Sequence, residues 1–508
     1  MTLETNIKCE DEPIHIPEAI QSFGYLIAVD PATNRMAIYS DNMEELFKDW
    51  DVAKTQLFFE LLEDDSALRE RITTSFSKAK AANVRLPIDI TFKKEFLKDS
   101  DYDEYFAVVY ESSGYMVIEV EPAVTFNGKI ASRQATKIYS LNTTPRFHES
   151  GTIKEMAHAI AEMVRSFSGF ERVLIYKFNE DQSGQVIAES KVDDIESYLG
   201  LYYPESDIPK QARELYKKNW IRITADARSK PIRLLPTIKD FPRPPLDMTH
   251  SLLRTMSPVH LEYLKNQGLR SSMSLSLYSH GNLWGLVICQ HRDEYYLPQD
   301  MRLEVETLAN LFSWQLYAKE EEALHTKRDD ANAVIKEMVA QISIEKDIAS
   351  IFEENEEKLL QLMNACGFVF KYADMSIAIG EVLPEVLCNK IINKTLHDKV
   401  MEEVYIDNIF ELIKEERTSD ILGALLLPLL PDKQYYTMWF RKEYKWERKW
   451  AGNPEEKNYA ADKNERLKPR KSFVVHHETV TDEIIPWSSE DKRIADLFNK
   501  VFLQHALR

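Results

Sequence analysis

From Gln299 to Cys366 the chain carries neither glycine nor proline, although 14 glycines and 21 prolines punctuate its 508 residues. Within that interval Met301, Val305, Leu308, Phe312 and Leu316 recur at helical spacing, so it reads as one long helix or two joined nearly end to end. At about 1.5 Å of rise per residue such a helix outruns any single small core, and the domains are expected to hang on it as on a spine. Its apolar stripe also suits parallel pairing of two copies of the chain.

At roughly 150 residues per domain the length allows about three domains, and 44% hydrophobic content is enough to give each a core. No stretch approaches the roughly 20 apolar residues that cross a bilayer; the longest, "ILGALLLPLL", is broken by Pro428. The start, "MTLETNIKCEDEP", is acidic and polar, unlike a signal peptide, so a soluble, cytoplasmic protein is expected. Cys9, Cys289, Cys366 and Cys388 show no metal-ligand spacing and suit a reducing compartment. A net charge of -19 opposes nucleic-acid binding, which needs a basic face.

Residues 15–125 alternate strand-like runs ("YLIAVD", "RMAIYS", "LPIDITF", "YFAVVYE", "GYMVIEVEP") with a helical patch near Asn42–Phe47, the pattern of a small antiparallel α+β domain. A second unit opens with the amphipathic "TIKEMAHAIAEMVRSFSGF", stopped by Gly169, and the strand "RVLIYKF". It closes with "SSMSLSLYSHGNLWGLVICQH", two strands turning at His280-Gly281-Asn282 and expected to complete a sheet edge. A third domain follows from about Phe368. In it Trp439, Trp446, Trp450 and Trp487 cluster among Arg and Lys, which reads as a long arm with aromatic ends.

Charge is uneven. From Ile208 to Arg254 eleven Lys/Arg face only Glu214, Asp226, Asp240 and Asp247. A solvated basic face is one reading; a pocket for a small polyanion is the other, because arginine pairs bidentately with carboxylates and Arg222 and Arg254 stand in apolar surroundings. At the head of this segment, "YYPESDIPKQARELY" sets Asp207 before Ile208-Pro209, where proline starts a helix without losing a needed hydrogen bond. Catalytic signatures are missing: the sequence has no G-x-G, no phosphate-binding G-x-x-x-x-G-K, no G-x-S-x-G, and no histidine or cysteine spacing that would hold a metal. Nothing in these residues supports enzymatic turnover.

"CEDEPIHIPEAIQSFG", "YPESDIP", "DMTHSLLRTMSPVHLEYLKNQGLRSSMSLSL", "LWGLVICQH", "WAGNP" and "PRKSF" together resemble the photosensory core of a bacterial phytochrome along nearly the whole chain. The resemblance implies an α+β fold of three domains, each with an antiparallel sheet and flanking helices, joined by a long helical spine. The domains would be PAS over 1–128, GAF over 129–318, and PHY over 319–508 with a tongue arm at about 436–490. It also implies a figure-of-eight knot, with Ile14–Ile20 threading a GAF loop at roughly Asp226–Ser257 and Ile20 plugging it. The implied ligand is biliverdin IXα, joined by a thioether to Cys9, since position 259, the other attachment point, is Val259.

By the same resemblance Arg222 and Arg254 pair with one propionate while His260, Ser272 and Ser274 bond the other. The Asp207 main-chain carbonyl meets the pyrroles and its carboxylate faces the arm. Tyr176, Tyr203 and Tyr263 wall the isomerising ring, and Ile208, Pro209, Tyr216 and Ser257 also line the pocket. Gln290 stands where the family usually has histidine; its amide can donate but cannot take a charge. In the arm, Arg470 would pair with Asp207 in the dark and Ser472 after light, and Trp450 and Trp487 would exchange places. The implied function is red/far-red light sensing, with a second copy of the chain (a homodimer) and a downstream output domain or response regulator as partners. Two alternatives stand beside it: the light-sensing half of a histidine kinase whose catalytic domain is missing, and a bilin-free GAF dimerisation scaffold.

Overall fold

The computed structural model describes residues 12–63, 65–98, 105–123, 151–240, 243–342, 347–395, 403–430, 433–454 and 473–506. Cys9, Arg470 and Ser472 lie outside the described residues. The chain divides into two compact units, one running to Tyr317 and including Lys449–His476, the other holding Ala318–Arg448 and the residues from His477 onward.

In the first unit, a seven-stranded sheet runs in the order Ala19–Ile20, Ile232–Leu235, Met36–Ser40, Tyr25–Val29, Tyr115–Pro122, Tyr105–Ser112, Leu86–Ile90. The last five strands are those the alternating runs predict. A helix over Ser66–Ala82 packs on them through Leu68, Ile72, Phe76 and Ala79, capped by the Asp65 carboxylate and ended by left-handed Asn83 at φ 53°. Only Ile232–Leu235 comes from elsewhere in the chain: it leaves the second domain to pair with Met36–Ser40, and Ala19–Ile20 pairs with it in turn. Residues 15–21 are gripped along both limbs of the 226–257 loop. Leu234 N–H donates to Glu18 O at 3.0 Å, Met248 N–H to His15 O at 2.8 Å, and Gln21 N–H to Leu253 O at 2.7 Å. Ile20 is fully buried among Leu234, Leu246, Met248 and Leu253. These are the contacts expected of a threaded segment.

The second sheet of this unit has the order Ile221–Thr224, Ser271–Ser279, Asn282–His291, Arg172–Phe178, Gly184–Lys191, Tyr202–Tyr203. The Ser271–His291 hairpin, expected at an edge, is interior; Ile221–Thr224 takes the edge beside it. Its turn works because His280 and Gly281 both adopt positive φ, 50° and 74°. The Ile153–Ser168 helix, with a Thr152/Glu155 capping box and left-handed Gly169 at its end, covers one face of the sheet.

The helix without breakers spans Gln299–Ile342, but its stripe of Met301, Val305, Leu308, Phe312 and Leu316, expected to serve pairing of two copies, is buried in the core of the second sheet instead. Separate helices follow at Ile348–Glu354 and Glu356–Met363. In the second unit, a five-stranded sheet runs Met375–Gly380, Gly367–Tyr372, Tyr435–Lys442, Ile421–Pro428, Val404–Ile406. Tyr435–Lys442, counted from Tyr436 as the start of the arm, is the central strand. Trp439 is therefore a core residue, 1% exposed and 4.2 Å from the Phe368 ring, and not part of an arm. No helix among the described residues is long and apolar enough to cross a membrane.

Candidate functional site

Strand alternation sorts the second sheet into two chemistries. Val173, Ile175, Ile223, Met273, Leu275, Val287 and Cys289 face the helices and form an apolar core. The alternate residues face the other way, and they include five of the strand residues expected to touch the ligand: Tyr176, Arg222, Ser272, Ser274 and Gln290. Register brings these five into adjacent rows, Arg222 opposite Ser274, and Ser272 opposite Gln290. Tyr176 stands one strand further in, opposite Leu286.

Three cations of the basic segment find partners within the chain. Arg243 pairs with Glu18, Lys217 with Glu214, and Arg213 donates to the Ile208 and Gln182 carbonyls. Arg222 and Arg254 differ. They are 6% and 3% exposed, neither has a carboxylate partner among the described residues, and Arg222 Nε and Nη2 and Arg254 Nε lack any hydrogen-bond acceptor. Burial lowers both to about 10, and Arg254 adds to the effect on Arg222. Stacking holds Arg222 in place, its guanidinium 3.2 Å from the Tyr216 ring, while Arg254 Nη1 donates to the Ile14 carbonyl. Such a pair costs stability unless an anion enters. A ligand with carboxylates, as a bilin has, fits these orphaned donors. Burial and then the two arginines push the imidazole of His260 down to about 4, so it is neutral at physiological pH.

Asp207 ends a short 3-10 turn, Glu205–Asp207; Ile208 follows, and Pro209 is the N-cap of the Lys210–Lys218 helix rather than its first residue. The Arg213 side chain pins this loop by donating from Nε to Ile208 O at 2.8 Å. Tyr263 Oη donates to Asp207 Oδ2 at 2.9 Å. Tyr263 also stacks near His260 and meets Phe473, at ring separations of 6.4 and 5.2 Å. Tyr176 and Tyr203 pair 5.8 Å apart. Gly184 lies under the Tyr176 ring, where a Cβ would come 1.9 Å from its oxygen, so no larger residue fits without displacing the ring.

Ser257 caps the Pro258–Asn266 helix, accepting from Val259 N–H and donating to Glu12 Oε2 at 2.7 Å. Its hydroxyl proton is therefore committed to Glu12. Trp450 is 6% exposed and sits in the first unit, 6.0 Å from the Tyr202 ring and paired in parallel with that residue. Trp487 belongs to the second unit, where the Arg441 guanidinium covers its ring at 3.7 Å.

Three supporting residues have no motif of their own in the sequence reading. Arg213 fixes the Asp207 loop. Asn219, 1% exposed, donates to Thr249 O and Ser251 O, tying the strand that bears Arg222 to the loop that bears Arg254. Arg172 donates to Gln290 Oε1 at 3.1 Å. The available signal was polarity at a strand position flanked by apolar residues; the partners are distant in sequence.

Comparison with known proteins matches three family models in succession: a PAS fold over 9–123, a GAF domain over 152–316 and the phytochrome region over 331–508. The chain is 31% identical to cyanobacterial phytochrome A and 30% to cyanobacterial phytochrome B of Nostoc, covering 98% and 96% of itself. It spans only 65% and 64% of those relatives' lengths. Among solved structures, a bacteriophytochrome from R. palustris superposes with a TM-score of 0.85 at 27% identity over 98% of this chain and 99% of that one. The photosensory core module of the Stigmatella aurantiaca phytochrome gives 0.80 at 28% identity, covering 98% of both chains. With PAS, GAF and PHY domains in order and this pocket face in its second sheet, the chain belongs to the phytochrome family as a bacteriophytochrome photosensory core.

Proposed function

We propose that the chain is a red/far-red light sensor that binds biliverdin through a thioether to Cys9. The observation that supports this reading is the pair of buried guanidiniums, Arg222 and Arg254, with unused donors and no carboxylate partner among the described residues. Biliverdin, when bound, would supply red absorption and a double bond that isomerises. The protein's part is to hold it: Arg222 and Arg254 neutralise one carboxylate, and His260 with Ser272 and Ser274 takes the other. Tyr176 and Tyr203 exclude water from one end, and Asp207 relays change toward the arm through Arg470 and Ser472. Output would pass to a domain or partner protein that reads the arm and the spine. Leu303, Trp314 and Tyr317, large apolar groups exposed on the Gln299–Ile342 helix at 43%, 76% and 48%, support pairing of two copies along it.

The test is assembly of the chain with biliverdin, followed by absorption spectra before and after red light. A red-absorbing band that light converts to a shifted product supports the reading. No bound pigment at all would leave the bilin-free scaffold in its place. Sedimentation of the wild type and Trp314→Glu tests the pairing; a monomeric wild type at high micromolar concentration would remove it.

A further inference from the structure

We propose that Arg172 is a positioning residue of the pocket: it fixes which way the Gln290 amide faces, so that Gln290 meets a bound ligand as a hydrogen-bond donor. The identity of that ligand rests on the bilin reading above; the orientation of the amide does not. Arg172 opens its strand directly opposite Gln290, which is itself opposite Ser272 on the pocket face. Both side chains are buried, at 4% and 6% exposure.

A guanidinium carries donors only, so the amide must turn its oxygen toward Arg172. Nη1 donates to Gln290 Oε1 at 3.1 Å accordingly. The reverse orientation would set N–H against N–H in a buried place, where an unmet donor is costly. Arg172 has no freedom to yield. Its Nη2 donates to the Glu196 carbonyl, Nε lies 3.3 Å from Glu189 Oε1, and the guanidinium stacks 3.8 Å over the Tyr198 ring. Glu189 is held in turn, accepting from Ser197 Oγ at 2.5 Å and from Tyr198 N–H at 3.0 Å. The Gln290 nitrogen is thus left on the side away from Arg172, in the row with Ser272. Because an amide does not titrate, the pocket keeps a neutral donor there at every working pH, where a histidine would change charge.

A double-mutant cycle with Arg172→Lys and Gln290→Met tests this in two states of the full chain. In the ligand-free chain, denaturant unfolding should show the two substitutions to be non-additive. With biliverdin bound, Arg172→Lys should change the dark-reversion rate roughly two- to tenfold and move the absorption maximum. In the Gln290→Met background it should do neither. Gln290→Glu, which keeps the partner of Arg172 but removes the donor, should shift the spectrum in the same direction as Gln290→Met. Equal effects of Arg172→Lys in both backgrounds would overturn the proposal, because Arg172 would then act through the pocket wall and not through Gln290. Additive unfolding energies in the ligand-free chain would overturn it independently of any pigment, and a wild type that binds no biliverdin would sink the bilin reading while leaving this arm intact.

Discussion

Two buried arginine sites in the first unit differ in one respect. Arg302, 2% exposed, faces the Glu121 carboxylate, which also accepts from Tyr296 Oη at 2.7 Å. Burial works against its charge, but Glu121 and Tyr296 outweigh that, and its pKa rises. Arg222 and Arg254 are buried to a similar degree, have no such partner among the described residues, and fall to about 10. The first site has its counter-charge within the chain, although Arg302 Nε and Nη1 also find no acceptor among the described residues. The second is a charge the fold carries at a loss, and a loss of that kind persists where a ligand offsets it.

Removing the cation should therefore have opposite consequences at the two sites. Arg302→Met strands the Glu121 carboxylate and should destabilise the ligand-free chain by about 3–5 kcal/mol. Arg222→Met removes an uncompensated charge and should leave ligand-free stability unchanged or higher. Denaturant unfolding of both variants decides it; a large loss in Arg222→Met would mean that the site is satisfied without a ligand.

With biliverdin the order should reverse. Charge-assisted hydrogen bonds are worth roughly 1.5–3 kcal/mol, so Arg222→Met and Arg254→Met should each weaken non-covalent binding about 10- to 100-fold, whereas a folded Arg302 variant should bind normally. The affinity is best read by titration in a Cys9→Ser background. That substitution should also release pigment from the denatured polypeptide, and covalent pigment surviving in Cys9→Ser would refute the attachment site.

Protonation gives a third probe. Burial, then Arg222 and Arg254, hold His260 at about 4, below the usual 6.5. Between those values the unfolded chain binds a proton that the folded chain refuses, so stability falls as pH falls from 6.5 toward 4 and is unaffected by this group above 6.5. His260→Gln should flatten that part of the profile, leaving only other contributions such as His250, which burial also lowers. Ligand carboxylates beside the two arginines should raise His260 and shrink the difference between wild type and variant. A profile unchanged by His260→Gln would show that the imidazole is not held neutral.

How much of this was legible in the sequence follows from how local each signal is. The Ile153–Ser168 helix, the Arg172–Phe178 strand and the His280-Gly281 turn were readable because their caps, periods and positive-φ positions lie within a few residues. The Ser66–Ala82 helix gives only a weak periodic signal, because its four buried positions are diluted by serine, threonine and lysine. Ile232–Leu235 is four residues between prolines, and its partner strand lies nearly two hundred residues away, so nothing nearby marks it as a strand of the first sheet. Trp439 was misplaced because tryptophans interleaved with Arg and Lys look alike in a core strand and an arm. At the site, Arg222 and Arg254 showed as cations in apolar sequence. Their want of a carboxylate, and the hold of Arg172 on Gln290, exist only in three dimensions.

The smallest effect should come from Asp207, a carboxylate of the site that does not answer the arginines. Asp207 Oδ2 accepts from Tyr263 Oη at 2.9 Å, so the acid is directed to a phenol and, in the proposed dark state, to Arg470, while Arg222 and Arg254 stay open for the ligand. Tyr263→Phe removes one hydrogen bond to a charged acceptor and keeps the ring against His260 and Phe473. Asp207→Asn keeps an acceptor for Tyr263 but removes the charge that Arg470 would meet. Both variants should bind biliverdin, because Arg222 and Arg254 are untouched. Tyr263→Phe should alter dark reversion by about 1 kcal/mol, or roughly fivefold. Asp207→Asn should act at least as strongly and prevent a stable far-red product. Arg470→Ala should destabilise mainly the dark arrangement and Ser472→Ala the illuminated one, so their reversion rates should move in opposite directions. Identical reversion in wild type and all four variants would show that Asp207 is only a structural partner of Tyr263, and that the contrast between paired and unpaired charge ends at the ligand without reaching the arm.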